Sequence, residues 1–350
     1  MNNDKPIFII ANPRSGTTLL RLILSSHSKI LIPPESTFIA QYFSRYGHLE
    51  KMNKKVIQKF LRELYDDAQL EKRWEISFQN YFDHWAERYV GKSFADVCAS
   101  LYKYYAEEKK MSKKIWGDKN VAYRNYLDLL FWLYPNARFI HIVRDSRAVF
   151  ASYKKLLNVR HPNAPCVTKD PVKFSSIWLD SVLRIESFFC THKACRSITI
   201  RYEDIVLQYD KTAEGLCSFL EIDFEKNMKE FYLINEKYNL EPKNFDEWKW
   251  RAREPLTDER VSRWRSELSD DEKGIISFLT GQELVKFGYE KRGIISEAQK
   301  TLNSKNGRIL KRCLIKFRLR GILRNIRFRI VVFRKAIRSL EGFWPFKNSR

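Results

Sequence analysis

The segment ANPRSGTT, residues 11–18, constrains the fold of this chain more than any other stretch. It follows the apolar run IFII and precedes a second apolar run, LLRLIL. A strand that enters a helix through a small-residue turn presents free backbone amides and the positive end of the helix to an anion. Gly16 permits close backbone approach, and the hydroxyl groups of Thr17 and Thr18 add donors. The sequence therefore predicts a phosphate-binding strand–loop–helix unit.

The loop differs from that of nucleotide hydrolases. Compared with the pattern G-x-x-x-x-G-K-[ST], Ala11 replaces the first Gly and Thr17 replaces the Lys, while the positive charge lies upstream at Arg14. Nucleotide hydrolases use the Lys together with a Mg²⁺ site to neutralise a triphosphate. The missing Lys, and the lack of a convincing Walker B carboxylate, argue against ATP hydrolysis. A P-loop kinase or NTPase stays open as the alternative enzyme.

Apolar runs and helical patterns alternate along the rest of the chain. Such alternation predicts an α/β fold with a P-loop-type open parallel sheet flanked by helices, whose ligands bind beyond the carboxyl ends of the strands. Residues 38–113 show helical spacing of aromatic and aliphatic side chains and predict a helical insertion that caps the sheet. The other predicted elements are helices at 17–26, 125–134 and 146–157, and strands at 7–10, 138–143 and 197–201.

The formal charge of +22 is concentrated near the C-terminus. Residues 305–350 contain fifteen Lys and Arg against a single acidic residue, Glu341, and so carry +14. We therefore predict an α/β domain over residues 1–302 and a basic amphipathic tail over residues 303–350. In the tail, apolar and basic residues recur on different faces of a helix, as in helices that lie on anionic membranes. Docking of the tail on the protein's own body is the alternative, and nucleic acid is a disfavoured partner because nothing in the tail reads bases.

The cysteine spacing and the hydropathy give three further expectations. The six cysteines form no CxxC pair and have no zinc-site spacing, which favours free thiols in a reducing compartment and no metal. Only six residues precede the first predicted strand, which leaves no room for a signal peptide. No uncharged apolar run approaches the roughly 18–20 residues of a membrane span. The sequence predicts a cytoplasmic protein that can lie peripherally on the inner face of a membrane.

The loop resembles that of a known family. PRSGTTLLR, residues 13–21, is similar to the 5′-phosphosulfate loop of sulfotransferases that use 3′-phosphoadenosine 5′-phosphosulfate (PAPS), and closest to the branch with tyrosylprotein and many bacterial carbohydrate sulfotransferases. The resemblance implies a P-loop-type sulfotransferase fold, PAPS as donor substrate and no metal. It also implies that the donor is bound by residues of the loop, namely Arg14, Ser15, Gly16, Thr17 and Thr18.

A second, distant motif strengthens the resemblance. The segment YPNARFIHIVRDSRAVFASY, residues 134–153, resembles the family's 3′-phosphate site, a strand that ends in Arg followed eight residues later by a helical Ser. Here these residues are Arg144 and Ser152. An Arg fork binds a phosphate through two hydrogen bonds, and a helical hydroxyl adds another. If Arg144 is considered without the first loop, the simpler explanation is that it forms a surface ion pair with Asp145 or another carboxylate.

Two C-terminal segments extend the resemblance as far as residue 290. RYED, residues 201–204, is similar to the end of a family strand and implies that Tyr202 lies near the adenosine part of the donor. VSRWRSELS, residues 261–269, together with KFGYE, residues 286–290, is similar to the family's C-terminal segment and implies that Ser262 and Arg263 close over the donor. A core Tyr and a surface Arg are the simpler alternatives.

Two residues are candidates for the chemistry. Glu35 follows two prolines, and it stands 21 residues after Arg14, as the general base of tyrosylprotein-type relatives does. Lys119 stands 25 residues before Arg144, the position of the family Lys whose ammonium stabilises charge on the leaving phosphate oxygen. An exposed loop carboxylate and a solvated Lys are the alternatives.

The chain departs from tyrosylprotein sulfotransferases at two positions. Leu156 replaces a further phosphate-binding Arg, so that Lys154 or Lys155 would have to substitute for it, and Thr37 replaces a basic residue on the acceptor side. Both departures weaken the case for a protein tyrosine as acceptor and favour a carbohydrate or lipid-linked glycan hydroxyl. Aromatic residues could supply faces for sugar stacking, although core packing explains most of them; the tryptophans considered are Trp74, Trp85, Trp248 and Trp250.

The sequence therefore predicts an enzyme, a PAPS-dependent sulfotransferase with Glu35 as general base. A catalytically silent protein on the same scaffold, which binds a membrane or a polyanion, is the alternative from a different functional class. Such a protein would tolerate the loss of Glu35.

Overall fold

Five parallel strands form the central sheet. The computed structural model describes residues 4–66, 69–79, 81, 86–111, 114–157, 168–242 and 253–291. Within these residues the sheet has the order β2-β3-β1-β4-β5, and all four strand pairs are parallel. The predicted α/β fold with an open parallel sheet is confirmed. The strands are β1 (Ile7–Ile10), β2 (Ile30–Leu31), β3 (Ile115–Lys119), β4 (Arg138–Val143) and β5 (Arg196–Arg201).

The two central strands lie in the core. Every residue of β1 has no exposed surface, and all six residues of β4 are buried. Strands covered on both faces need continuous apolar runs, which is why both were recognisable in the sequence. Because β1 pairs with β3 on one side and β4 on the other, the loop that follows β1 opens between the ends of these strands. Lys119 lies opposite Ile9 in this register.

Helices connect the strands. All the regular elements described between residues 38 and 111 are helical, as the spacing of their side chains predicted, whereas the role of this segment as an inserted cap stays a prediction. Short 3₁₀ turns cover Ala86–Tyr89, Val121–Asn125 and Lys226–Glu230. The helices are α1 (Thr17–Ser26), α2 (Phe38–Tyr46), α3 (Lys54–Asp66), α4 (Gln69–Trp74), α5 (Phe94–Glu108), α6 (Leu127–Leu133), α7 (Ser146–Leu157), α8 (Pro171–Thr191), α9 (Tyr202–Leu207), α10 (Tyr209–Phe219), α11 (Phe231–Tyr238), α12 (Glu259–Ser262), α13 (Trp264–Glu267) and α14 (Asp270–Lys286).

Aromatic packing holds the helical insertion together. The ring centroid of Trp74 lies 5.5 Å from that of Tyr102 and 5.1 Å from that of Tyr105, and Trp74 has no exposed surface. Trp74 is therefore a core residue, and no sugar stacks on its ring. The other three tryptophans considered for that role lie outside the described residues.

The predicted elements match the observed ones except around β3. The helices predicted at 17–26 and 146–157 have the observed bounds, whereas the helix predicted at 125–134 is limited to α6, after a 3₁₀ turn. The short strands β2 and β3 were missed. The sequence of β3, IWGDK, contains Gly and Asp, which are rare in strands, so its strand character comes from pairing with β1.

The contacts divide the chain into two compact units, Met1–Ile276 and Ser277–Arg350. The boundary falls within α14. Of the second unit the structure describes only residues 277–291, the end of α14 and the turn after it, in which Gly288 has a φ of +70°. The predicted tail lies outside the described residues, so its helical structure and the domain boundary at residue 302 remain predictions.

The described residues contain neither a candidate membrane span nor a candidate metal cluster. None of their helices is long and apolar enough to cross a bilayer. Their His, Cys, Asp and Glu side chains form no group of three or more that could hold a metal ion.

Candidate active site

The loop between β1 and α1 has a backbone suited to an anion. Gly16, the residue before α1, has a φ of +96° and a ψ of +16°, and Arg14 also has a positive φ of 69°. Turns with left-handed residues form concave arrangements of successive N–H groups. The first amides of α1 have no acceptor within the helix and point in the same direction. The loop can therefore bind an anion through its backbone alone, without the Lys of nucleotide hydrolases.

Tyr202 explains why residue 16 is a glycine. A Cβ atom on Gly16 would lie 2.2 Å from Cδ2 of Tyr202, a buried residue at the start of α9. The guanidinium carbon of Arg144 lies 4.2 Å from the centroid of the same ring. Tyr202 thus contacts both the loop and the end of β4, which fixes the position of one relative to the other.

Replacing Gly16 with Ala is expected to weaken binding of 3′,5′-adenosine bisphosphate at least tenfold. The positive φ costs an alanine about 1–2 kcal/mol, and the added methyl group must displace the Tyr202 ring or the loop. Calorimetric titration of the purified variant measures the loss. Gly215→Ala is the matched control, because a Cβ at that helical position meets no atom within 4 Å. Wild-type affinity in Gly16→Ala would contradict this account of the loop.

Three residues assigned to phosphate binding contact one another. Nε of Arg14 donates to Oγ of Ser152 over 3.0 Å. Arg144 donates from Nη1 to the carbonyl oxygen of Arg14 over 3.2 Å, and from Nη2 to the carbonyl oxygen of Arg260 over 3.1 Å. The fold thus brings together the loop, the end of β4 and helix α7. Asp145, considered as a partner of Arg144, pairs with Arg147 instead, at 2.7 Å, and both side chains are buried.

Two buried polar atoms of this cluster have no hydrogen-bond partner within the described part of the chain. They are Oγ of Ser15 and Nε of Arg144. A buried donor without an acceptor costs about 1–3 kcal/mol, and phosphate oxygens would satisfy both donors. The residues present therefore fit a ligand with phosphate groups.

The segment predicted to close over the donor contacts Arg144 through a different residue. Ser262 is exposed at the end of α12, and Nε of Arg263 pairs with Glu267 at 3.2 Å. Arg260 provides the carbonyl contact with Arg144, and its own guanidinium donates to the carbonyl oxygens of residues 254 and 255. The roles of Ser262 and Arg263 stay predictions.

Neither lysine proposed to substitute for the family Arg is free for that role. Nζ of Lys154 contacts both carboxylate oxygens of Glu272, at 2.8 and 2.9 Å. Lys155 forms an ion pair with Glu267. Leu156 between them is buried. Both lysines thus bind the segment that follows α12.

Glu35 and Lys119 form an ion pair, although 84 residues separate them. The distance from Nζ of Lys119 to Oε2 of Glu35 is 2.7 Å. The Lys119 side chain is only 1% exposed, whereas that of Glu35 is 20% exposed. Lys119 ends β3, next to the strand that carries the loop. Lys119 is therefore not a solvated surface residue, which was the alternative, and the carboxylate of Glu35 is partly accessible.

Side-chain donors fix the segment around Glu35. The carbonyl oxygen of Glu35 accepts from Nη1 of Arg73 at 2.8 Å, and that of Pro34 from the indole of Trp74 at 2.9 Å. Nδ2 of Asn120 donates to the carbonyl oxygen of Ser36. Glu35 is thus held by α4 and by the residue after β3, rather than carried on a loose loop.

Asp118 is buried beneath this ion pair. Its Oδ2 accepts hydrogen bonds from the hydroxyl groups of Tyr102, at 2.6 Å, Tyr123 and Ser36, at 3.3 Å. Burial raises the pKa of Asp118 to about 6, against the smaller opposing effect of the two tyrosine hydroxyls. These hydroxyls fix the end of β3, which carries Lys119.

The raised pKa makes Asp118 a source of pH dependence. The folded protein binds the proton more tightly than the unfolded chain, whose Asp has a pKa near 3.8. The stability that protonated Asp118 contributes is complete below about pH 4 and is lost as the pH rises through 6. In urea unfolding at pH 4 to 7, wild type is expected to lose up to about 3 kcal/mol relative to Asp118→Asn. A constant difference would show that Asp118 has an ordinary pKa.

The sequence prediction missed the residues that position the catalytic candidates. Asp118 and Asn120 flank Lys119 directly, and that adjacency is the only local signal they give. Tyr102 and Arg73 come from the helical insertion, whose spacing indicates only helices.

Arg21 was also missed: it is fully buried in α1 and forms an ion pair with buried Glu241. The Nη1 atom of Arg21 donates to the carbonyl oxygen of residue 32, at 2.9 Å.

These features define a class of protein. It is a P-loop-type α/β protein in which the loop backbone and an Arg at the end of the adjacent strand are suitably placed to bind anions. A family model described as "Sulfotransferase family" matches residues 6–226, more than half of the chain. The chain therefore belongs to the sulfotransferase family, as the sequence predicted.

Two curated proteins are similar over most of the chain. Nodulation protein NoeE of Sinorhizobium fredii is 27% identical over 298 residues, which cover 81% of this chain and 65% of NoeE. A putative protein-tyrosine sulfotransferase of Caenorhabditis briggsae is 21% identical over 273 residues, which cover 77% of this chain and 84% of that protein. The chain thus spans slightly less than two thirds of the length of NoeE.

A solved structure shares the fold. The sulfotransferase domain of the Synechococcus olefin synthase superposes with a TM-score of 0.54 at 23% sequence identity. The match covers 79% of this chain and 96% of that domain. This similarity supports the P-loop-type architecture.

Proposed function

We propose that this chain transfers a sulfuryl group from PAPS to a hydroxyl group of an acceptor. The contact between the two anion-binding elements is the observation that most supports this: Nη1 of Arg144 lies 3.2 Å from the carbonyl oxygen of Arg14. PAPS has a phosphate on the 3′ position of its ribose and a phosphosulfate on the 5′ position. Such a ligand needs two neighbouring anion sites rather than one triphosphate site.

Each part of the donor has candidate partners in this chain. The loop amides and the side chains of Arg14, Ser15, Thr17 and Thr18 would hold the 5′-phosphosulfate, with Gly16 allowing close approach. The side chains of Arg144 and Ser152 would hold the 3′-phosphate. Tyr202 lies between the two groups of residues, consistent with contact to the nucleoside. In this assignment Ser262 and Arg263 cover the donor from the C-terminal side.

Glu35 and Lys119 supply the acid–base and electrostatic parts of the mechanism. The bound donor provides the sulfuryl group and a phosphate that can leave. Glu35 takes the proton of the acceptor hydroxyl as the acceptor oxygen forms its bond to sulfur. The electron pair of the broken sulfur–oxygen bond stays on the phosphate oxygen, where the ammonium of Lys119 stabilises the charge. The mechanism uses no metal.

We propose a carbohydrate or lipid-linked glycan as the acceptor. Thr37, where tyrosylprotein enzymes place a basic residue, bonds to Gln41 of its own helix, which gives this position no charge for an acidic peptide. The relative from Caenorhabditis is named for protein-tyrosine transfer, so a peptide acceptor is the alternative to test.

Calorimetric titration with 3′,5′-adenosine bisphosphate in the absence of Mg²⁺ tests the donor. Selective micromolar binding, with 5′-AMP and ATP much weaker, is the expected result. Transfer of ³⁵S from labelled PAPS to a panel of oligosaccharides and tyrosine peptides then tests the acceptor. Preference for ATP with Mg²⁺ would favour a P-loop kinase or NTPase instead.

The basic tail, residues 303–350, is proposed to hold the enzyme at an anionic membrane surface, on the cytoplasmic face. Seven apolar residues between 315 and 337 recur every three or four positions, which suits burial at a membrane interface. Deletion of residues 303–350 is expected to abolish flotation with liposomes that contain anionic lipid. Liposomes of neutral lipid are the control. Unchanged flotation of the truncated protein would rule out this role.

A further inference from the structure

Arg124 lies close to the proposed base, yet it belongs to none of the groups assigned above. It is in the 3₁₀ turn Val121–Asn125, which directly follows β3 and Lys119. Its Nη1 donates to the carbonyl oxygen of Val121, and the amide of Val121 lies 3.4 Å from Oε1 of Glu35. From standard backbone dimensions, the guanidinium therefore lies within about 10 Å of the Glu35 carboxylate.

The charge of Arg124 has no carboxylate partner among the residues that the structure describes. The charged and titratable groups that face it are Tyr153, Asp180 and Arg184. Asp180 is already engaged, because Nη2 of Arg184 contacts its two carboxylate oxygens at 3.1 and 3.2 Å. The three side chains of this cluster, Arg124, Asp180 and Arg184, together carry two positive charges and one negative charge.

Burial weakens the hydration of the Arg124 charge, and no ion pair within the described residues replaces it. The pKa of Arg124 is lowered, and burial is the largest cause. A guanidinium that is partly removed from water and paired only with a carbonyl oxygen is stabilised by an incoming anion. Solvent still reaches the cluster, since the side chains of Asp180 and Arg184 are 27% and 16% exposed. A ligand can therefore approach.

The sheet order separates Arg124 from the proposed 3′-phosphate site. Arg124 follows β3, whereas Arg144 follows β4, and β1 with its loop lies between these strands. Of the two residues assigned to the chemistry, Glu35 is linked to Arg124 through the backbone of Val121, whose carbonyl oxygen accepts from Arg124 and whose amide faces the Glu35 carboxylate. An anion at Arg124 would therefore accompany the acceptor rather than the nucleotide.

We infer that Arg124 binds an anionic group of the acceptor, so that the substrate is a saccharide with a carboxylate or phosphate about one sugar unit from the reacting hydroxyl. This inference rests on the sulfuryl transfer proposed above. It narrows the acceptor from any glycan to an anionic one, and it identifies Arg124 as the residue that selects it.

The test uses the full-length protein saturated with 3′,5′-adenosine bisphosphate. Four saccharide probes are titrated into it by calorimetry: an unsulfated chondroitin hexasaccharide, its carboxyl-reduced form, a mannose 6-phosphate oligosaccharide and its dephosphorylated form. Wild type is expected to bind one charged probe at least tenfold more tightly than its neutral counterpart. In Arg124→Gln this preference should fall to less than threefold, and Arg124→Lys should retain part of it. Lys92→Gln removes an exposed positive charge elsewhere and is the matched control.

The outcomes separate this inference from the proposed function. If wild type does not bind 3′,5′-adenosine bisphosphate, the sulfotransferase proposal fails. If wild type binds it but neither charged saccharide is preferred, or if Arg124→Gln keeps the preference, the role of Arg124 is wrong. A loss of nucleotide affinity in Arg124→Gln would instead assign the residue to the donor site. Binding of an acidic tyrosine peptide in place of all the saccharides would also overturn the inference.

Discussion

Replacing Glu35 with Gln is expected to lower kcat for sulfuryl transfer by about 10²- to 10⁴-fold, the usual contribution of a general base. Gln keeps the size of the side chain and can still accept a hydrogen bond from Lys119, so the ion-pair site is disturbed little. It cannot take the proton of the acceptor hydroxyl. The affinity for 3′,5′-adenosine bisphosphate should stay within about twofold of wild type, because Glu35 is assigned to the acceptor side.

Transfer of ³⁵S from PAPS under saturating donor measures the effect on kcat. Glu50→Gln is the matched control, since it makes the same substitution at an exposed Glu outside the proposed site. Full activity of Glu35→Gln would assign the base to another residue. If wild type binds the nucleotide but transfers no sulfuryl group to any acceptor, the protein is better described as a catalytically silent scaffold.

Replacing Arg144 with Ala is expected to weaken binding of 3′,5′-adenosine bisphosphate by about 100-fold, because a charge-assisted fork to a phosphate is worth about 3 kcal/mol. The affinity for 5′-AMP should change much less, since that nucleotide lacks the 3′-phosphate. Arg144→Lys should recover only part of the loss, because an ammonium cannot reproduce the planar fork. Calorimetry of both nucleotides with each variant gives the comparison.

Arg144 also donates to the carbonyl oxygen of Arg14, so its removal can disturb the loop as well as the phosphate contact. The 5′-AMP titration separates these effects, because loop damage would weaken both nucleotides equally. Arg201→Ala is the matched control, because it removes an Arg at the end of the neighbouring strand that is not assigned to the phosphate. Arg201 ends β5 and pairs with Val143, the residue before Arg144. An equal loss for both nucleotides in Arg144→Ala would assign Arg144 to loop support rather than to the 3′-phosphate.

Much of the scaffold could be predicted because its signals are local. The strand, turn and helix of residues 7–26 follow one another in sequence, and β4 with α7 form a second such unit. Both strands are buried on two faces, so their apolar runs are continuous. The strand β3 could not be predicted in this way, since its Gly and Asp disfavour a strand and only pairing with β1 and β2 produces one.

The candidate site was predictable where a motif fixed the spacing. Arg14, Arg144 and Ser152 were assigned from two motifs, and the structure brings them into contact. Glu35 and Lys119 were assigned separately from family spacing, and nothing local indicated that they pair. The aromatic residues showed the limits of composition: Trp74 was considered for sugar binding, but its ring is fully buried against aromatic residues of the helical insertion.

The sequence by itself determined the loop between β1 and α1, the Arg at the end of β4 and the family, because each depends on residues close together in the chain. Only the tertiary structure decided how the chemistry is arranged. It placed Lys119 against Glu35, buried the neighbouring Asp118 and left Arg124 without a carboxylate partner among the described residues. The physical reason is the parallel sheet, which gathers the carboxyl ends of distant strands at one edge, where burial and charge depend on neighbours that the order of residues does not reveal.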